Sequence, residues 1–208
     1  MVDYVVAGLS ANSVPYLQAL ELQRATHTAV VSGRSPDTVI FLEHPSVYTA
    51  GKRTESHERP TDGTPVIDVD RGGKITWHGP GQLVGYPILT LAEPIDVVGY
   101  VRRLEGVLIE ALHCLGVESN RVSGRSGVWI GDNEKIAAIG IRVSQGVTMH
   151  GFALNCNNSF DAYGRIIACG IVGAEVTSIS RQLGRDVSTE EVVPVVRAAF
   201  SSSLVSAQ

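Results

Sequence analysis

Residues 96–116, DVVGYVRRLEGVLIEALHCLG, carry the pattern that most narrows the folds open to this chain. Val97, Tyr100, Val101, Leu104, Val107, Leu108, Ala111, Leu112 and Leu115 return with a helical period, Asp96 stands at the N-cap position and Gly116 just past the end. A stripe this wide needs a second apolar layer against it, since helices of this length draw most of their stability from packing. Cys114 falls beside the stripe and is expected to pack with it.

The flanking sequence offers strands as that layer. TVIFLEHPSVYTAG reads as two β-rich runs meeting at a His44–Pro45 turn, and QLVGYPIL as a further strand. In VIDVDRGGKITWHG, short alternating runs divided by Gly72–Gly73 predict a hairpin. Residues 127–157 hold two turn signals, at 131–133 and 144–146, between β-prone runs, and predict a three-stranded meander. The polar residues 52–65 read as a surface loop. Helices are expected over residues 13–33 and after a capping box from Ser188 to Glu191, with Pro194 as a kink. Helices at both ends, one between and strands elsewhere predict a single α+β domain over residues 1–208.

A net charge of -4 argues against a general nucleic-acid surface. No apolar run reaches the roughly 20 residues of a membrane span, and the N-terminal residues lack a cationic lead, so a cytoplasmic protein is expected. Cys114, Cys156 and Cys169 form neither a Cys-x-x-Cys pair nor an even set, which predicts reduced thiols.

Residues 71–88, RGGKITWHGPGQLVGYPI, place five glycines beside Arg71, Lys74, Trp77 and His78, more backbone freedom than a turn requires and suited to lining a ligand. The GPGQLVG spacing is G-x-G-x-x-x-G and precedes a strand, so it is no dinucleotide fingerprint. P-loop, zincin and nucleophile-elbow motifs are absent, and six scattered histidines give no metal spacing. The chemical candidates are Cys169, Lys135, His78 and His150. Taken singly, each has a plainer reading: a small buried hydrophobe, a solvated lysine after a turn, histidines satisfying core hydrogen bonds.

Taken together they are more specific. FLEHPSVYTAGKR, DRGGKITWHGPGQLVGYPI, GVWIGDNEKIAAIGIRV, MHGFALNCN and ACGIVGAEVTSI stand in the order and spacing of the octanoyltransferase, or lipoyl(octanoyl) transferase, family, and the sequence resembles it from about Tyr16 to Phe200. The resemblance implies a fold similar to the biotin and lipoate ligases, a mixed sheet with helices packed against it. It implies transfer of an octanoyl group from octanoyl-acyl carrier protein to a lysine of lipoyl domains, in 2-oxoacid dehydrogenase complexes and the glycine cleavage H protein, as the first step of protein lipoylation. Cys169 would carry the acyl group and Lys135 would be its partner. Arg71, Gly72, Gly73, Lys74, Ile75, Thr76, Trp77, His78, Ala138, Ile139, Gly140, Gly151, Phe152 and Ala153 would line the substrate site, with Ile139 and Phe152 on the acyl tail. No cofactor, metal or ATP is implied, and a monomer is expected.

The chemistry has a physical reason. A free thiol is only a few per cent thiolate at neutral pH, and a nearby ammonium between apolar walls at Ile166, Ile167, Ile171 and Val172 would stabilise the anion. Thioester exchange is nearly balanced and amide formation runs downhill, with Lys135, after giving up a proton, accepting one from the incoming amine. Backbone amides of Gly170 or near Gly72, Gly73 and Gly79 are candidate donors to the oxyanion. Lys52, Arg53, Arg59, Arg102 and Arg103 are candidates for docking an acidic carrier protein. The rivals are an ATP-dependent lipoate or biotin ligase, a silent acyl-binding module and a cysteine hydrolase; Cys156 is the alternative nucleophile.

Overall fold

The structure, a computed structural model, describes residues 2–166 and 175–205. Its elements run β1 (Asp3–Gly8), α1 (Tyr16–Val31), β2 (Thr38–Leu42), β3 (Val47–Ala50), β4 (Val66–Asp68), β5 (Thr76–His78), β6 (Gln82–Ile88), α2 (Val97–Cys114), β7 (Asn120–Val122), β8 (Arg125–Ile130), β9 (Glu134–Ser144), β10 (Val147–Asn155), β11 (Glu175–Val176), α3 (Ile179–Leu183) and α4 (Thr189–Val205). The large sheet has the order β1-β2-β6-β10-β9-β8-β7, with β11 alongside β9. Two of its pairings, β1 with β2 and β11 with β9, are parallel and the rest antiparallel, so the sheet is mixed. A small sheet, β4-β3-β5, stands apart from it.

The period-2 alternation of strand side chains divides the large sheet into two unlike faces. On one, Phe41, Leu83, Ala137, Phe152 and Leu154 pack against Leu104, Leu108 and Leu112 of α2 and Val192, Val196 and Phe200 of α4. On the other, Ile40, Leu42, Val84, Tyr86 and Ala153 meet Ala19 and Val30 of α1. The β8-β9-β10 meander forms as expected, its second turn reached through positive φ at Gln145 and Gly146, 52° and 74°. The α2 stripe also forms from Tyr100 onward, Val97 being exposed, with Asp96 accepting the Gly99 N–H at 2.8 Å and Gly116 at φ 85° beyond the end.

Four expectations need correction. Gly72–Gly73 does not close a hairpin: β4 and β5 lie on opposite sides of β3, which takes both as partners. The chain opens with a strand, not a helix; Val5 and Val6 of β1 are exposed on the sheet edge, which erases the alternation that marks a strand. Cys114 is exposed rather than packed. Only half of the capping box forms, the Glu191 N–H reaching Ser188 Oγ at 3.4 Å while the Glu191 carboxylate pairs with Arg185. Glu105 of α2, which the sequence reading passed over, is wholly buried and accepts from Arg102, Arg121 and the Gly127 N–H.

Gly85 and Phe152 are cross-strand partners, and the absent side chain at Gly85 is what lets the Phe152 ring lie across β6 and stack on Phe200. A Cβ at Gly85 would fall inside that ring. Gly85→Ala is therefore expected to lower the unfolding free energy by about 1 to 3 kcal/mol through overpacking, read as a drop in the urea midpoint. An unchanged midpoint would show that the ring has room to move.

Candidate functional site

Register on the α1 face of the large sheet sets Ala138 opposite Ala153, Ala153 opposite Val84, and Gly140 opposite Gly151. Four adjacent positions thus carry a methyl group or nothing, which leaves a hollow in an otherwise close-packed structure. The hollow is a cavity of about 240 Å³ lined by these residues together with Tyr16, Arg53, Arg71, Gly73, Lys74, Thr76, His78, Tyr86, Arg125, Lys135 and His150.

The loop of residues 71–74 covers it by lying on strand backbone. The Gly72 N–H donates to Ile141 O at 2.9 Å, and a Cβ on Gly140 would come within 3.0 Å of Gly72 O. Arg71 is buried inside the loop, Nη1 donating to Gly72 O and Lys74 O and Nη2 to Thr49 O and Thr49 Oγ1, all at 2.9 to 3.0 Å. Lys74 reaches outward to Glu55 and Glu58.

Lys135 is the chemical candidate most changed by folding. The turn ahead of it reads as exposed, yet the residue is only 8% exposed because β8 and β11 flank it on either side. Its Nζ sits 4.7 Å from the centre of the Trp129 ring, its cross-strand neighbour. Among the described residues no carboxylate lies within ion-pair distance of it. Cys169 lies outside the described residues, as do Gly170, Ile167, Ile171 and Val172. β11 resumes the chain at Glu175 directly beside Lys135, with Val176 as its register partner.

Of the residues the resemblance assigns to substrate, eleven border the cavity and Gly72, Ile75 and Trp77 do not. Ile75 is buried elsewhere, and Trp77 donates its Nε1 proton to Ser46 Oγ while its ring meets Tyr163 edge-on. Ile139 and Phe152, expected on the acyl tail, are both among the residues bordering the cavity. They are opposite partners that also pack with the α2/α4 core, Phe152 within it and Ile139 against it. The Gly72 N–H is engaged by Ile141, which removes it as an oxyanion donor.

Both histidines are tied down. Thr49 Oγ1 lies 3.4 Å from His78 Nε2, and His78 Nδ1 lies 2.8 Å from Gln82 Oε1, an acceptor that fixes the proton on Nδ1. His150 Nε2 meets Asp70 Oδ1 at 2.9 Å, Asp70 also pairs with Arg142, and His150 Nδ1 is buried with no partner among the described residues. Burial pushes His78 down to about 3, helped by the nearby His44, and takes His44 itself down to about 4; burial also lowers His150, against the pull of Asp70. Cys156, the alternative nucleophile, lies in the α2/α4 core away from the cavity, and burial raises its thiol to about 12. It is a packing residue.

Sequence reading passed over Gln82, Asn155, Tyr16, Tyr86 and Asp70. Gln82 and Asn155 stand at the ends of strands where a polar residue looks like punctuation, although both are buried.

The comparisons with known proteins agree with this geometry. The family profile of the lipoyl protein ligase A/B catalytic domain matches residues 15–201. An octanoyltransferase of Clavibacter michiganensis subsp. michiganensis is 67% identical over 205 residues, covering 95% of this chain and 88% of the relative, and one of Leifsonia xyli subsp. xyli is 59% identical over 207, covering 97% and 92%. The chain belongs to the octanoyltransferase family. The enzyme is accordingly an acyltransferase of the lipoyl ligase A/B class. In fold it is similar to the bi-partite lipoate protein ligase solved with its E2 lipoyl domain from Thermoplasma acidophilum (TM-score 0.72, 17% identity, 98% of this chain and 84% of that one). A lipoate-protein ligase A bound with ATP (0.68, 15%, 98% and 86%) and the biotin protein ligase of Aquifex aeolicus with biotin and ATP (0.54, 16%, 98% and 69%) share the architecture. No described helix of this octanoyltransferase is long and apolar enough to cross a membrane.

The neutral histidines give the fold a pH dependence. His44 and His78 take up protons on unfolding below their ordinary value near 6.5 but not in the fold, so their stabilisation is complete above about pH 6.5 and is lost as pH falls toward about 4 and 3. Each is expected to remove about 1.4 kcal/mol per pH unit in that window, seen as a lower urea midpoint at about pH 5 than at about pH 7. Equal midpoints would mean that both rings are charged in the fold.

Proposed function

We propose that this octanoyltransferase takes an octanoyl group from octanoyl-acyl carrier protein onto Cys169 and passes it to a lysine of lipoyl domains, in 2-oxoacid dehydrogenase complexes and the glycine cleavage H protein, without ATP, as the first step of lipoylation. The observation that carries this reading is the Lys135 ammonium at the cavity wall, withdrawn from water beside an aromatic ring with no carboxylate in reach among the described residues. Burying a lone ammonium costs several kcal/mol, whereas a cation–π contact returns about 2. A thiolate partner makes up the difference, and Cys169 is the nearest cysteine in sequence to β11, which pairs with β9 at Lys135.

In the first half-reaction the Cys169 thiolate attacks the carrier thioester. The tetrahedral oxyanion collapses to expel the carrier thiolate, which takes one proton from the Lys135 ammonium and leaves as a thiol. In the second, the lipoyl-domain amine attacks the enzyme thioester, the C–N bond forms, the C–S bond breaks, and the amine's proton restores the resting pair. Gly73, at φ 86° on the cavity wall, presents the loop's remaining candidate amide for the oxyanion. The acyl tail lies on the floor of Ala138, Gly140, Gly151 and Ala153, where each methylene gains about 0.8 kcal/mol and none is held by direction, so neighbouring chain lengths are discriminated only modestly.

Of the basic residues considered for docking the carrier, Arg53 borders the cavity. Arg59 pairs with Asp68, and Arg102 and Arg103 belong to a separate groove with Arg121. Arg125 also lines the cavity. Charge reversal at Arg53 is expected to lower kcat/KM for the acyl carrier protein about tenfold at low salt, while reversal at Arg103 leaves it in place. If the two reversals act alike, docking does not follow the cavity.

The reading as a whole is tested by intact-protein mass spectrometry. Octanoyl-acyl carrier protein alone should add one octanoyl group, confined to Cys169, and Cys169→Ala should abolish both the adduct and transfer. Lys135→Ala should raise the pH midpoint of Cys169 alkylation. Product from free octanoate and ATP, with no adduct from the carrier, would identify a ligase instead.

A further inference from the structure

One buried hydrogen-bond chain connects the cavity loop to Lys135, and its donors all point the same way. Arg71 Nη2 donates to Thr49 Oγ1 at 2.9 Å, Thr49 Oγ1 faces His78 Nε2 at 3.4 Å, and His78 Nδ1 gives its proton to Gln82 Oε1 at 2.8 Å. Gln82 Nε2 donates twice at 2.9 Å, to Asn155 Oδ1 and to the Tyr163 hydroxyl. Asn155 Nδ2 then donates to Thr177 O at 2.9 Å, and the Thr177 N–H reaches Lys135 O at 3.0 Å.

The polar atoms of the Gln82 side chain are fully engaged, both amide hydrogens and the oxygen, in a residue 1% exposed. Such an arrangement is costly to break and therefore specifies position. The two ends it holds are instructive. Tyr163 stands six residues before Cys169 and Thr177 eight residues after it. One amide pair thus fixes the chain on both flanks of the cysteine-bearing segment, and fixes the second flank to the backbone of Lys135 itself.

We infer that Gln82 and Asn155 are positioning residues of the transfer reaction, setting the register between the chain that carries Cys169 and the strand that carries Lys135. Neither residue needs to touch the acyl group. The inference rests on the cysteine–lysine reading above and assigns to the amide pair the task of keeping nucleophile and ammonium within hydrogen-bond reach. Misplacement by about 1 Å costs reactions of this kind about a hundredfold.

The test uses Asn155→Asp, which preserves size and the acceptor toward Gln82 but loses the donor toward Thr177, with Tyr163→Phe as a second variant that removes only the hydroxyl. Val193→Ala, in the α2/α4 core, supplies a control destabilised far from the site. Asn155→Asp is expected to lower kcat about a hundredfold with KM for octanoyl-acyl carrier protein little changed, and to move the pH midpoint of Cys169 alkylation upward toward that of a free thiol. Tyr163→Phe should shift both in the same direction by less, and Val193→Ala should lower the urea midpoint without moving the alkylation midpoint. Should Asn155→Asp fail to fold, the same two readouts on Tyr163→Phe decide the matter. Wild-type alkylation and kcat in the folded variants, with the wild-type enzyme still acylated at Cys169, would overturn the positioning role alone; absence of the Cys169 adduct in the wild-type enzyme would overturn the reading beneath it.

Discussion

A single backbone contact, the Gly72 N–H on Ile141 O, turns a groove on a sheet into a cavity. It requires main chain to lie on main chain, which side chains at Gly140 or Gly51 would prevent: a Cβ at Gly51 would meet Gly73 O at 2.5 Å. The closely laid loop has carbonyls to satisfy away from water, and Arg71 satisfies them from inside, donating to Gly72, Lys74 and Thr49. The glycines and the arginine of the sequence RGGK thus answer one requirement. The first permit the approach and the second holds the loop in the shape that makes it.

The sheet beneath is built to be unlike on its two faces. Toward α2 and α4 it carries large residues interlocked to the usual density, down to a phenylalanine ring laid over a glycine. Toward the cavity it carries alanine and glycine, so the same strands that make the core also make the void. Period-2 alternation lets both be written into one stretch of chain, AAIG on β9 and GFA on β10. That division also explains how Ile139 and Phe152, alternating with the small residues of the floor, pack with the core while bordering the cavity.

Features with a local cause could be read before folding. The α2 stripe, its Asp96 cap and Gly116, the meander turns and the strand from Gln82 each depend on residues within one or two turns of chain. Lys135, His78 and the glycine loop were legible through motif order. What escaped was long-range. The partnership of β3 with both β4 and β5 is a pairing across long stretches of chain, and Gly72–Gly73 carries no trace of it. The burial of Glu105 comes from a β8 glycine 22 positions away, and the roles of Gln82 and Asn155 come from partners 73 and 22 positions away. An isolated polar residue at a strand end looks the same whether it ends the strand or anchors another one.

The electrostatics of the site follow from these placements. Of the five cationic residues lining the cavity, Arg71 and Lys135 are the two that are buried, while burial keeps His78 and His44 neutral and adds no further positive charge there. A neutral His78 is also what lets the hydrogen-bond chain run in one direction, since a doubly protonated ring would present a donor to both neighbours and break the sequence at Thr49. Low dielectric amplifies the positive charge of Arg71 and Lys135 for the anions that the proposed transfer would form, a thiolate at rest and an oxyanion in passage. The same desolvation that silences the histidines therefore gives the two cations their effect.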